Sequence, residues 1–115
     1  MDDCIFCRIV RGEIPSPRVW EDEHLIAIRD ISPAAPTHVL VIPREHVQSV
    51  AHLADTQQAL AGRMLLAARD IARQEGVEEQ GYRLVLNTGR GAGQTVDHLH
   101  LHVLAGKQMR GHGTA

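Results

Sequence analysis

Three histidines, His98, His100 and His102, alternate with aliphatic residues near the end of this chain. A period of two is typical of a β-strand, so the alternation predicts a strand over residues 97–104. One face of that strand would be all imidazole, and the other face, all leucine and valine, would pack on a core. The pattern therefore predicts a row of imidazoles that lines a site.

The spacing limits how these three side chains can share a task. Side chains two apart on a strand lie roughly 6 to 7 Å apart, and those four apart roughly 13 Å, so at most two neighbours reach one small target. Three clustered imidazolium ions would also repel one another, which favours neutral rings near neutral pH. A neutral imidazole is a nucleophile, a base or a metal ligand, so the row indicates a division of labour. A half-buried structural histidine is the alternative for any single one.

Two cysteines, Cys4 and Cys7, stand three apart with two apolar residues between them. A thioredoxin-like redox role would place such a pair at a helix start after a strand, and we expect no strand before residue 4. Two thiolates at this spacing can bind one Zn²⁺, which then needs two more ligands. The candidates are His24, His46, His52, His98 and His112. The alternative is that both thiols are small packing residues of a metal-free protein.

A glycine-rich loop spans residues 88–95, directly before the histidine row. Its glycines permit close backbone approach, so successive N–H groups could form an anion nest, to which Gln94 and Thr95 add side-chain donors. The loop lacks the ending of a P-loop and the strand-to-helix setting of a dinucleotide fingerprint, so a plain flexible connection is the alternative. Its position beside the imidazoles favours a contact with phosphate.

The elements that position these residues can be predicted from apolar periodicity and turn residues. We expect a short helix over residues 4–11 and a hairpin of two strands, 18–20 and 25–30, joined by an acidic turn. A β-branched strand over residues 37–42 follows, and Pro43 stops it.

One long helix is predicted from a cap at Asp55 or Thr56 to about Glu75, with a single apolar stripe that core packing explains. A further strand is predicted over residues 82–87, before the glycine loop and the histidine strand. Strands, one long helix and then strands again predict an α+β fold with a mainly antiparallel five-stranded sheet, in one domain over residues 1–115.

The composition excludes several classes of partner. Twelve basic and 14 acidic residues give a formal charge of −2, which does not favour nucleic acid or a membrane surface. The first four residues are acidic without an apolar leader, and no run approaches the roughly 18 apolar residues of a membrane span. We therefore expect a cytoplasmic protein with no nucleic-acid or membrane partner.

The histidine row resembles the histidine-triad signature, in which three histidines alternate with apolar residues. The likeness extends in order along nearly the whole chain, through residues 30–33, 35–38, 41–43, 81–83, Asn87, 93–94 and 106–109. The pattern is similar to the histidine-triad nucleotide-binding (Hint) branch, whose members are homodimeric purine nucleoside phosphoramidases. The resemblance implies a sheet that continues across a homodimer, and cleavage of the P–N bond of a purine nucleoside phosphoramidate such as an AMP-amine.

The resemblance also implies a role for each site residue. His100 would attack the α-phosphorus and form a covalent nucleotidyl-histidine that water hydrolyses. His102 would contact the phosphate, and His38 would support the protonation network. Thr95, where relatives usually carry serine, would bond phosphate or the leaving group. The other implied substrate contacts are Asn87, Gly93 and Gln94 for phosphate and sugar, Asp30 for the ribose, and Ile5, Phe6, Ile28 and Ile31 for the base.

Cysteine-bearing members of the wider family bind zinc through a pair like Cys4 and Cys7, with histidines that match His46 and His98. The resemblance therefore implies a structural zinc site, with no metal required for catalysis. Departures from the pattern are Ile28 and Asp97, each at a position that often carries an aromatic, and residues 110–115, which lack the aromatic found in some Hint tails.

Several other functions share parts of this pattern. A metal-dependent hydrolase would use adjacent strand histidines as ligands, but it would usually need more carboxylates nearby than Asp97. A non-catalytic nucleotide-binding scaffold would have the same motifs. Within the enzyme class, the alternative is a dinucleoside polyphosphate hydrolase or a nucleotidyl transferase.

Overall fold

The structure is a computed structural model that describes residues 3–111. Within that range the strands are β1 (Arg18–Glu21), β2 (Leu25–Arg29), β3 (Thr37–Pro43), β4 (Arg83–Val85) and β5 (Leu101–Ala105), and the α-helices are α1 (Ile5–Val10) and α2 (Gln58–Gln74). The strands form one sheet in the order β1-β2-β3-β5-β4, and all neighbouring strands are antiparallel. The predicted α+β fold with a five-stranded antiparallel sheet is confirmed.

Both faces of the central strands are covered, which explains why β2 and β3 carry buried apolar residues on both faces, over 25–28 and 39–42. One face packs under α2, and the aliphatic residues of the histidine row, Leu99, Leu101 and Val103, belong to this core. The opposite face packs against α1 and carries a second buried cluster of Phe6, Ile9, Ile26, Ile28, Leu40 and Ile42. The alternation predicted for the aliphatic side of the row is therefore confirmed.

The strand register brings two separate histidines to one face. Leu40 of β3 lies opposite His102 of β5, and His38 lies opposite Leu104. Because residues two apart on a strand share a face, His38 is the diagonal neighbour of His102. The pairing of β3 with β5 thus brings His38 and His102, 64 residues apart in sequence, together on the α1 side of the sheet.

The histidine strand begins later than predicted, at Leu101 rather than at residue 97. Two bonds outside the ladder explain this. The Leu99 N–H donates to the Val47 carbonyl, beyond the end of β3, at 2.6 Å, and His98 reaches the Pro43 carbonyl through its ring, so neither contact is part of the ladder with β3. β4 is also shorter than the predicted 82–87, because it pairs only with β5 and ends opposite His102.

The predicted helix cap at Asp55 or Thr56 is wrong. Residues 55–57 form a 3₁₀ turn whose N-cap is Ala54, and α2 follows with Gln57 at its own N-cap. Alanine has no side-chain acceptor, so only the reciprocal hydrogen bond of a capping box forms here. The Ala54 N–H donates to Oε1 of Gln57 at 2.7 Å. In the part of the chain that the structure describes, neither α2 nor any other helix is long and apolar enough to cross a membrane.

Candidate functional site

The ring of His100 is held in one tautomer by a backbone group. Nδ1 of His100 lies 2.7 Å from the carbonyl oxygen of His98. A carbonyl can only accept, so Nδ1 carries the proton and donates it to this bond. In the neutral ring the lone pair is therefore on Nε2. A half-buried imidazole with a free Nε2 lone pair is the form that a histidine nucleophile requires.

His102 is held in the opposite tautomer by a chain of three hydrogen bonding groups. The Ala34 N–H donates to Nδ1 of His38 at 3.0 Å, so the proton of a neutral His38 is on Nε2. That proton points at Nδ1 of His102, 2.9 Å away. The proton of His102 is then on Nε2. Since the rings of His100 and His102 are 5.0 Å apart, one ring offers a lone pair beside a second that offers a donor.

Burial keeps this histidine pair neutral. It lowers the pKa of His38, although the Asp30 carboxylate, 3.5 Å from Nε2 of His38, opposes the shift. It also lowers the pKa of His102 from 6.5 to about 4, and the positive charges that His100 and His38 can carry add to the effect. At neutral pH the hydrogen bond between the two rings is therefore one between neutral imidazoles.

The four residues predicted for the base slot lie in two different environments. Phe6 and Ile28 are buried in the cluster between α1 and the sheet. Ile5 is 45% exposed and Ile31 is 93% exposed. The ring of Phe6 lies nearly perpendicular to the rings of two members of the triad, with its centroid 5.1 Å from that of His100 and 5.9 Å from that of His98.

The glycine loop is closed by Gln94 rather than left free. Oε1 of Gln94 accepts from the Gly89 N–H at 2.8 Å, and Nε2 donates to the carbonyls of Gln48 and Val96. The side-chain donors of Gln94, which were predicted to contact phosphate, thus hold the loop instead. Gly93 adopts a positive φ of 89° at its end, and the exposed Thr95 follows. Asn87 lies half-buried before the loop.

A second group of side chains surrounds a point at the start of α1. Sγ of Cys4 lies 3.2 Å from Nδ1 of His98, and Sγ of Cys7 lies 3.3 Å from Nδ1 of His46. The two Nδ1 atoms are 3.2 Å apart, and all four ligand atoms lie within 4.8 Å of one another. The structure thus brings together the four residues that the resemblance implied, and they lie close enough to bind a metal ion.

The chemistry of this cluster fits a tetrahedral cation. Nε2 of His98 lies 2.8 Å from the Pro43 carbonyl, so it carries the proton and leaves the Nδ1 lone pair facing the sulfurs. Ligands around Zn²⁺ at ordinary bond lengths are roughly 3.3 to 3.8 Å apart, close to the spacings found here. Burial raises the pKa of Cys7, and the hydrogen bond and charge of Cys4 raise it further, so a cation would be needed to hold Cys7 as a thiolate.

The other histidines considered as ligands are elsewhere. His24 is exposed in the turn between β1 and β2, and Nδ1 of His52 is 2.7 Å from the Ser49 hydroxyl. His112 lies outside the described residues. Sequence reasoning missed the backbone groups that set the tautomers, the carbonyls of His98 and Pro43 and the N–H of Ala34, because residue types carry no signal for them.

Sequence, fold and site together define one class of protein. Residues 11–109 match the family described as the HIT domain, and the chain belongs to that family. The histidine-triad resemblance is thereby confirmed. Among curated relatives, Protein HitA of Neisseria gonorrhoeae is 46% identical over 104 residues, which cover 90% of this chain and 96% of that protein. The purine nucleoside phosphoramidase of Escherichia coli (strain K12) is 45% identical over 108 residues, 94% of this chain and 91% of that protein.

The fold is also found in solved structures of related proteins. A HIT family hydrolase from Legionella pneumophila Philadelphia 1 superposes with a TM-score of 0.92 at 46% sequence identity, covering 94% of this chain and 96% of that chain.

Proposed function

We propose that this protein is a hydrolase that cleaves the P–N bond of purine nucleoside phosphoramidates through a covalent nucleotidyl-histidine at His100. The observation that carries the proposal is the pair of opposite tautomers, a lone pair on Nε2 of His100 beside a proton on Nε2 of His102. The relative named purine nucleoside phosphoramidase, at 45% identity, supports the class of substrate.

In the first step, Nε2 of His100 attacks the α-phosphorus and the bond from phosphorus to the amine nitrogen breaks. The imidazole becomes cationic as the new N–P bond forms, and the His98 carbonyl stabilises that charge through Nδ1–H. The Nε2–H of His102 donates to a phosphoryl oxygen, while His38 keeps that donor in place. We propose that the exposed hydroxyl of Thr95 passes a proton from solvent to the departing amine.

In the second step, water attacks the phosphorus of the nucleotidyl-histidine and Nε2 of His100 leaves with the bonding electron pair. The attacking water loses one proton to solvent, and the products are the nucleoside monophosphate and the neutral imidazole, which can react again. We assign the nucleotide contacts as the resemblance implies, with Asp30 at the ribose and Asn87 and Gly93 near the phosphate.

Cys4, Cys7, His46 and His98 would hold a structural Zn²⁺, which would neutralise the two thiolates and cross-link α1 to the sheet. These four side chains take no part in the reaction, since His98 contributes to the site through its backbone carbonyl.

The test compares AMP release from adenosine 5′-phosphoramidate and from a diadenosine polyphosphate by the EDTA-treated protein. We expect the phosphoramidate to be cleaved at least about tenfold faster in kcat/KM, with no added divalent metal, because the nucleophile and its donors are imidazoles. Faster release from the polyphosphate would favour the polyphosphate hydrolase. AMP binding without turnover would favour a scaffold. Activity lost in EDTA with an intact fold, and restored by Mg²⁺, would indicate a metal-bound nucleophile.

We also propose that the protein is a homodimer whose sheet continues across the edge of β4. Among the described residues, β4 is an edge strand, and Leu86 beside it is 42% exposed. Leu65 and Leu66, 51% and 52% exposed, place a further apolar patch on the outer face of α2. Unpaired strand edges and apolar patches of this kind are typical of surfaces that a second copy covers.

Sedimentation equilibrium at micromolar concentration should therefore give the mass of two chains. Replacing both Leu65 and Leu66 by glutamate should shift the protein toward one chain, because two carboxylates would have to be desolvated at the contact. Val50→Glu, at another exposed apolar position, is the matched control and should leave the mass unchanged. A wild-type mass of one chain at all concentrations would rule out the dimer.

A further inference from the structure

Phe6 is buried beside the proposed nucleophile, a position that contact with a base alone would not require. Its side chain is 7% exposed and forms part of the cluster between α1 and the sheet. The ring meets the ring of His100 edge-on, at a centroid distance of 5.1 Å and an angle of 77°. A second edge contact, at 5.9 Å, reaches His98. Phe6 therefore touches both the proposed nucleophile and the residue whose carbonyl fixes its tautomer.

The helix that carries Phe6 is fixed at both ends. At its start, Cys4 caps α1 by accepting from the Cys7 N–H at 3.3 Å, and both sulfurs lie against the His98 ring. At its end, Nη2 of Arg18 donates to the carbonyls of Ile9 and Val10 at 2.8 and 3.2 Å. These contacts hold a helix of six residues in one position on the sheet, so its buried aromatic ring is a rigid surface.

One hydrogen bond does not fix the direction of the His100 lone pair. The bond from Nδ1 to the His98 carbonyl holds one atom, and the ring can still swing about that atom. A ring is fixed when it also has contacts on its sides. His102 lies on one side at 5.0 Å, and Phe6 supplies the aromatic contact at a similar distance on α1. The edge-on geometry is favourable for aromatic rings.

We propose that Phe6 is a positioning residue for His100, which keeps Nε2 directed at the phosphorus. This inference rests on the proposed function, in which Nε2 of His100 is the nucleophile. Without the ring edge, His100 would sample orientations in which its lone pair misses the phosphorus. Misplacement by about 1 Å is enough to slow a reaction by up to about a hundredfold.

The test compares Phe6→Leu with Ile9→Ala. Ile9 lies on the same helix and in the same buried cluster, at 6% exposure, but has no ring contact with His100, so its replacement controls for a loosened core. Four quantities are measured for each variant: the melting temperature, the bound zinc, the dissociation constant of AMP, and the rate of nucleotidyl-histidine formation by rapid quench at saturating adenosine 5′-phosphoramidate.

For Phe6→Leu we expect adduct formation at saturating substrate to slow at least about tenfold, with bound zinc retained. AMP affinity should fall less than this rate, because leucine keeps an apolar side chain at the position that the resemblance assigns to the base. For Ile9→Ala we expect a lower melting temperature and a rate within about twofold of wild type. The ring proton resonances of His100 should move in Phe6→Leu and stay in place in Ile9→Ala, because only the first variant removes the adjacent aromatic ring. This readout needs no catalysis.

An unchanged rate in Phe6→Leu would overturn the inference. Weaker AMP binding with an unchanged rate would place Phe6 in the base slot alone, and equal slowing in both variants would reduce its role to general packing. If the wild-type protein forms no adduct on His100, the proposed function is wrong. If the adduct forms at the same rate in wild type and Phe6→Leu, only the role of Phe6 is wrong.

Discussion

Replacement of His100 by alanine is expected to lower AMP release from adenosine 5′-phosphoramidate at saturating substrate by at least about a thousandfold. Each tenfold in rate corresponds to about 1.4 kcal/mol, so this loss amounts to about 4 kcal/mol of transition-state stabilisation. The reason is that the variant loses the covalent route, and no other ring has a lone pair in an equivalent position. His98 uses its side chain in the metal-ligand cluster, and the Nδ1 lone pair of His102 accepts from His38.

Two comparisons make this prediction specific. His102→Ala keeps the nucleophile and loses a hydrogen bond donor, so the fall in rate should be smaller, about a hundredfold. His24→Ala removes an exposed imidazole from the turn between β1 and β2 and should leave the rate unchanged. AMP should still bind to His100→Ala. Near-normal turnover by His100→Ala, or a larger loss in His102→Ala, would contradict the assignment.

The second large effect is expected on stability. Cys7→Ser should remove most of the bound zinc and lower the melting temperature by roughly 10 °C, which for a domain of this size corresponds to about 2 kcal/mol. A weaker ligand set no longer cross-links α1 to the sheet, and the buried ring of His98 then faces neighbours without a cation between them. The rate at saturating substrate should fall less than about tenfold, because the His98 carbonyl still holds His100.

Zinc is measured by elemental analysis of the purified protein, together with thermal unfolding. Ala72→Ser, which adds a hydroxyl at a fully buried position away from the cluster, is the control: it should lose stability and keep its metal. Full zinc content in a variant with serine at both Cys4 and Cys7 would show that the metal ligands lie elsewhere.

The sheet could be predicted because its local signals agree with its packing. β2 and β3 are apolar on both sides because α1 and α2 cover opposite faces, and the apolar stripe of α2 is the one that meets the core. The limits of β5 could not be predicted in the same way. Its first residues alternate like a strand, yet the partners of Leu99 and His98 are Val47 and Pro43, far away in the sequence.

In the candidate site, too, the sequence predicted which residue types are present but not which groups they contact. Side-chain types and spacing pointed to the histidine row, the cysteine pair and the glycine loop, but left five histidines as possible ligands. Only the resemblance selected His46 and His98 from among them. The features that distinguish the rings chemically are backbone groups, which no pattern of residue types reveals. The same holds for Gln94. Its residue type suits a phosphate contact, but in the fold its amide hydrogen-bonds backbone groups and holds the loop.

The central claim is that His100 alone carries nucleotide during turnover, and trapping that intermediate tests it most directly. Wild-type protein is mixed with adenosine 5′-phosphoramidate, quenched within milliseconds under alkaline denaturing conditions that preserve phosphohistidine-type bonds, digested and mapped by mass spectrometry. We expect one acid-labile adenylate, on His100, that is absent from His100→Ala. An adduct on His98 or His102, or single-turnover release of AMP with no adduct at any time point, would contradict it.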